Sequence, residues 1–238
     1  MSKPNGYIIY EGKSQLNGGN IVAIVTMNSK NIKTGNMASM WILNADMTPT
    51  QASKEGKDES VCGDCKHRAV NKGACYVTLF HAPLQVYKSY KKGNYPIAND
   101  MTIFEGMKVR FGAYGDPSAI PTQILASIKA VVKNNTSYTH QWKQGDKILK
   151  QVSMASVDSI AEQKQAVSEG WRTFRVTSDL SDKLPNEIVC PNTTKAIQCA
   201  DCGLCSGTST RARNIVIEVH GAKKKKFVKQ QELTTQQG

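Results

Sequence analysis

The chain is short of acidic residues: 19 Asp and Glu stand against 31 Lys and Arg, a formal charge of +12 over 238 residues. It lacks any run approaching the roughly 18 apolar residues that a membrane-spanning helix needs, so no membrane partner is expected. The opening, MSKPNGYIIYEG, has none of the apolar core of a secretory signal. Several catalytic signatures are missing too. There is no Walker A loop, G-x-G-x-x-G, H-E-x-x-H or G-x-S-x-G, and no H-x-E ahead of Cys190-Pro191 that would complete a zinc deaminase. These absences exclude the commonest ATPases, zinc proteases and hydrolases. No internal repeat is evident. The composition, 39% hydrophobic and 21% charged, is that of a folded globular chain.

What the chain has is cysteine, seven of them, in two groups. Without a secretory signal the expected location is a reducing cytoplasm, where disulfides are disfavoured and metal or catalytic chemistry is the better account of clustered thiols. The second group, Cys190, Cys199, Cys202 and Cys205, has the spacing C-x8-C-x2-C-x2-C. Two-residue gaps let successive thiolates turn back on one ion, and Ala200 and Gly203 ease the wrap. Four thiolates complete a tetrahedral zinc site or hold an iron–sulfur cluster. The first group, Cys62, Cys65 and Cys75, is C-x2-C-x9-C and one ligand short. Either His67 or His81 completes a zinc knuckle, or three thiolates hold a [4Fe-4S] cluster with one iron open, or the thiols are free or redox-active.

The positive charge divides in two. Residues 221–238 carry five lysines, Lys223, Lys224, Lys225, Lys226 and Lys229, against Glu232, which is +4 of the +12. With few apolar residues, this stretch is expected to be a basic, disordered tail. The other +8 lies over the folded body. There, Tyr87 to Tyr95 interleaves aromatics with Lys88, Lys91 and Lys92, a pattern that suits base stacking with phosphate contact, or else an amphipathic helix with a basic outer face. Arg110, Arg172 and Arg175 are candidate phosphate ligands or surface ion pairs.

Along the chain, residues 7–45 read as β, with Ile21–Thr26 and Met40–Leu43 as strands and Lys33–Asn36 as a turn or longer loop. Residues 48–58 suggest a short helix or loop, and Ala82–Lys91 a helix stopped by Gly93. From Lys108 the pattern alternates: a strand at 108–112, a helix with Ile124, Leu125, Ile128, Val131 and Val132 on one face, and strands at 137–142 and 151–155. A helix opened by the Ser159/Glu162 capping pair and ended by Gly170 follows, then strands at 171–176, 187–190 and 214–219. The expected fold is α/β: a mainly parallel sheet or incomplete barrel with flanking helices (61–220), preceded by a β-rich segment (1–60), carrying two Cys-rich metal knots and followed by the tail (221–238). In such folds sites collect at the C-terminal ends of strands, which makes Asp116, His140 and Trp142 the candidate polar site. Asp116 before Pro117 also reads as a simple helix cap, and His140 as a strand histidine.

Tyr10–Gly12 with Ile21–Val25, Lys33–Asn36, Trp41–Leu43, Val61–Arg68, Ala74–Val77, Ala82-Pro83 and Tyr90–Pro96 are landmarks, followed by Arg110–Pro117, Tyr138–Trp142, Gly170–Val176 and Cys199–Gly207. On these the chain resembles an uncharacterised Cys-rich protein family of tailed bacteriophages over residues 7–221. The resemblance implies a phage or prophage origin, hence the cytoplasm of an infected bacterial host, and carries no activity with it. A weaker likeness is to radical S-adenosylmethionine enzymes, in the three-cysteine group, the partial barrel and the later four-cysteine group. Their usual C-x3-C-x2-C spacing differs from the one here. Two functions are therefore expected: a phage-encoded, zinc-stabilised protein binding nucleic acid or nucleotide, or an iron–sulfur enzyme using S-adenosylmethionine.

Overall fold

The first 26 residues contain two β-branched stretches separated by Asn17-Gly18-Gly19-Asn20, and the chain turns there. β1 (Gly6–Lys13) pairs antiparallel with β2 (Asn20–Thr26), and β2 with β3 (Ala38–Asn44). Apart from Asn20 at one end of β2 and Trp41 in β3, both strands are buried throughout, as strands covered on two faces must be. The computed structural model describes residues 4–29, 31–144, 146–209 and 211–235.

After β3 the chain makes α1 (Pro49–Lys54), capped by the Thr48 hydroxyl, the single turn α2 (Glu59–Cys62) and α3 (Ala82–Lys91). It then enters β4 (Lys108–Tyr114), which lies parallel to β3. The β-rich N-terminal segment therefore shares its sheet with the rest of the chain. α4 (Thr122–Val131) buries Leu125 and Ile128 and returns the chain to β5 (Asn134–Thr136), parallel to β4. One residue later β6 (Tyr138–Thr139) starts a second sheet. It continues through α5 (Lys147–Val152), β7 (Met154–Val157), α6 (Ile160–Ser168) and β8 (Thr173–Thr177). β9 (Glu187–Val189), the short α7 (Pro191–Lys195) and α8 (Cys199–Cys202), and β10 (Asn214–Glu218) complete it.

The architecture is α/β, with a mixed sheet ordered β1-β2-β3-β4-β5 and an all-parallel sheet ordered β6-β7-β8-β10-β9. Within the first sheet β3, β4 and β5, and within the second β6, β7 and β8, are parallel neighbours in chain order, so in each set the loops after the strands open on one edge. The main core lies under β2, β3, β4 and α4, and a small satellite of Met154, Cys205 and Ile215 underlies the second cysteine group.

The tail departs from expectation. Residues 224–235 form α9 (Lys224–Thr235), and Phe227 is 4% exposed, so a disordered reading does not hold there. Its few apolar residues suffice because Phe227 finds a pocket on the folded body. Residues 236–238 lie outside the described residues. No helix among the described residues is long and apolar enough to cross a membrane.

Candidate metal centres and the polar edge between strands

Cys62 is the last residue of α2, and Gly63 turns the chain at φ 59°. A side chain at Gly63 would meet the Gln141 carboxamide 2.7 Å away. That carboxamide donates to the Cys62 carbonyl (3.2 Å) and to Asp64 Oδ1 (2.8 Å). The loop is clipped by buried Arg68, which donates to Asp58 Oδ1 (2.8 and 3.0 Å) and to the carbonyls of Gly63 and Gly56. Cys75 returns to the loop, its backbone N–H donating a hydrogen bond to the His67 carbonyl at 3.0 Å. Two thiols also receive amide hydrogen bonds from two residues on, Cys65 from His67 and Cys75 from Val77. Such donors stabilise a thiolate and tune a metal bound to it.

Burial pushes the Cys62 thiol up, with Cys65, Asp58, Cys75 and Asp116 adding to the effect. Burial also carries Cys65 up to about 12, against the pull of the His67 amide. Without a cation, burial of this kind favours the protonated, weakly nucleophilic thiol. Buried sulfurs ringed by Asp58 and Asp116 are the environment a cation reverses, since a metal deprotonates the thiols that coordinate it.

Around this loop the following strand ends converge. Past β4, Gly115 has φ 83° and no room for a side chain, with Ile42 Cβ and O at 2.7 and 2.8 Å from where one would start. The Asp116 amide donates to the Val61 carbonyl at 2.6 Å. The Asp116 carboxylate accepts from Ser118, from Thr139 Oγ1 (2.7 Å) and from the His140 amide (2.8 Å), so it caps the turn Pro117–Ala119 and ties the β4 and β6 loops together. Past β7, Asp158 Oδ2 bonds His67 Nε2 at 2.6 Å and Lys66 Nζ at 3.1 Å. The His67 ring lies edge-on to His140 (5.5 Å) and stacks on Phe227 (5.8 Å). His67 Nδ1 and Asp158 Oδ1 are buried and find no partner. Burial pushes the His140 imidazole down, partly opposed by the Asp158 charge, and leaves it neutral at pH 7. His81 is not part of this cluster; it packs on Phe80 at the start of α3.

The second group is built on other loops. Cys190 precedes α7, Cys199 and Cys202 bound α8, and all four cysteines line one cavity with Tyr138, Thr136 and Ile215. Its free space is about 20 Å³, enough for one water-sized sphere. The Cys190 sulfur accepts from the amides of Asn192 and Thr193, and Cys205 from the Tyr138 hydroxyl. Gly203 (φ 66°) has Asn134 Nδ2 only 2.3 Å from where a Cβ would sit. The Lys33–Gly35 stretch is the longer loop of the two expected there. Its carbonyls at Lys33 and Thr34 accept from the Cys199 and Ala200 amides (3.1 and 2.9 Å). Among the described residues, no three His, Cys, Asp or Glu side chains stand in a metal-holding arrangement.

Several expected phosphate contacts turn inward. Arg175 is 1% exposed and fully engaged by Glu187 and Asp182. Arg172 spends its guanidinium on the carbonyls of Leu204, Gly207, Ala212 and Arg213, fastening the loop after Cys205. Arg175 lies on the buried face of β8, whereas Arg172, just before that strand, is drawn inward by the carbonyls of the loop after Cys205. Arg110 is half-buried and donates to Tyr76 Oη at 3.1 Å. Trp142, 3% exposed, belongs to the core. Lys88, Lys91 and Lys92 are exposed on α3, but Tyr87 and Tyr95 are buried and Tyr90 is bonded to Glu11, so the aromatics there cannot stack on bases. Lys223, Lys224, Lys225 and Lys226 are exposed, with Lys224 paired to Glu218.

Sequence reasoning missed Asp158, Lys66 and Phe227. Asp158 was within reach: it follows β7 directly, but a strand read at 151–155 instead of 154–157 directs attention to the wrong residues. No family model, curated protein or solved structure matches this chain.

Proposed function

We propose that the chain is a metal–thiolate enzyme of the radical S-adenosylmethionine type, encoded by a phage and working in the cytoplasm of its host. Cys62, Cys65 and Cys75 would hold a [4Fe-4S] cluster, and Cys190, Cys199, Cys202 and Cys205 a closed structural site. One observation carries this reading. The three-cysteine loop follows the first parallel strand, β3, at the edge where the β4, β6 and β7 loops bring Asp116, His140, Gln141 and Asp158 against it. Sites of singly wound α/β sheets form at that edge, and a structural knuckle has no need of it. Parallel strands in chain order, β3 to β5 and β6 to β8, suit an incomplete barrel. When bound, a cluster held by three thiolates supplies one-electron reduction at an iron with an open position. Around it, Arg68 and Gln141 fix the loop, Asp116 locks two neighbouring loops, and Phe227 keeps water from the His67 ring. The single-ion space in the second group suits zinc better than a cluster.

A second reading rests on the orphaned His67 Nδ1. With Nε2 oriented by Asp158, as second-shell carboxylates orient metal-bound imidazoles, Nδ1 would close a zinc site. The chain would then be a zinc-stabilised nucleic-acid binder. Two variants separate the readings. In the enzyme, protein prepared without oxygen and then reduced consumes S-adenosylmethionine, Cys75→Ala abolishes this, and His67→Ala keeps its iron. Zinc at the first site that His67→Ala releases would overturn the enzyme reading.

A further inference from the structure

Exposed apolar side chains that cluster, as opposed to single scattered ones, mark candidate interaction surfaces. Among the exposed large apolar side chains of the described residues, the aromatic ones are Tyr76, 70% exposed, and Phe80, 62% exposed. Both lie within five residues of Cys75. Exposure alternates along the segment, with Tyr76, Thr78 and Phe80 exposed and Val77 and Leu79 packed on the core, so the two rings are carried by an anchored backbone. The His81 backbone N–H donates to the Thr78 carbonyl and closes the segment into α3, and Arg110 holds the Tyr76 hydroxyl at 3.1 Å. A cation thus stands at one of the rings.

More cations flank the same loop. Phe227 inserts against His67, and Gln230 and Gln231 donate to the Lys66 and Asp158 carbonyls (3.2 and 2.7 Å), which docks α9 beside the three-cysteine site. With Phe227 turned inward, Lys223 to Lys226 remain exposed.

We propose that the rim of the three-cysteine site is a docking surface for single-stranded nucleic acid, with unpaired bases stacking on Tyr76 and Phe80 and phosphates meeting Lys223, Lys225, Lys226 and Arg110. The proposal rests on the reading of that site as the reactive centre and names its substrate class. Charge complementarity selects the partner: a +12 chain whose three-cysteine loop carries two exposed rings and docks a helix headed by exposed lysines fits a polyanion that also offers aromatic faces. Duplex bases already stack on one another, so exposed rings favour a single strand.

The test is fluorescence anisotropy of the full chain with a labelled single-stranded oligonucleotide and with the same sequence as duplex, across salt. The single strand binds tighter, and Tyr76→Ala and Phe80→Ala each weaken it about tenfold, the usual loss per stacked base. Tyr76→Phe retains binding. Replacing Lys223 to Lys226 by Gln flattens the salt dependence. Equal binding of single strand and duplex, or alanine variants that bind as the parent does, would overturn the proposal. Iron, sulfide and zinc measured on the same samples keep the two readings apart. Ring-dependent binding by a zinc protein sinks the enzyme and keeps the docking surface; iron-loaded protein indifferent to both rings does the reverse.

Discussion

Asp158 shows how one carboxylate is committed by its neighbours. Burial alone would raise its pKa, but the His67 hydrogen bond and the Lys66 charge outweigh burial and hold the carboxyl well below its usual range. A carboxyl depressed in the folded state adds stability that is fully present above the unfolded value of about 3.9 and lost as pH falls through the folded one. Asp158→Asn should therefore lower stability by about 2 kcal/mol at neutral pH, the scale of a charge-assisted hydrogen bond. The difference from the parent should shrink below about pH 4; a denaturant series over pH reads both. Arg175 makes the opposite point about inference from residue type. Arg175→Ala strands Glu187, itself buried, without its partner and should destabilise by about 3–5 kcal/mol. It should leave affinity for nucleic acid unchanged, against the phosphate role its charge suggests in the sequence.

At the level of elements, α9 is where composition misleads. A lysine run with few apolar residues reads as solvated, yet one ring seated on His67 and two glutamine contacts dock the helix. Phe227→Ala should release it: amide exchange should quicken over Lys224–Thr235 while β2 and β3 stay protected, as a local rather than global opening requires. Protection unchanged in the helix would mean that Phe227 is not its anchor. Elsewhere local chemistry was readable. The apolar stripe of α4, the Gly93 stop after α3 and the Ser159 cap of α6 are decided within a few residues, and each appears as expected. β5, only three residues long, and the onset of β7 are decided by pairing with distant strands, which periodicity cannot see. The slip at β7 hid Asp158, and with it the partner of His67.

For the whole molecule, the cysteine spacing suggests two groups, and the fold adds what spacing cannot: where each stretch sits. The four-cysteine group lies in loops braced by residues 33–34 over its own small core, away from the polar strand ends. The three-cysteine group lies among those ends. The formal charge divides accordingly. Arg172 and Arg175 serve internal loops and ion pairs, while the lysines of α9 and of α3 stay in water. The central claim is that these two groups differ in kind, one closed and one open. It is tested most directly by purifying the full chain without oxygen and measuring iron, sulfide, zinc and the visible spectrum. The account predicts iron and sulfide in the proportion of one four-iron cluster per chain, lost in Cys75→Ala, with zinc retained at the other site. Stoichiometric zinc at both sites and a colourless protein would contradict it.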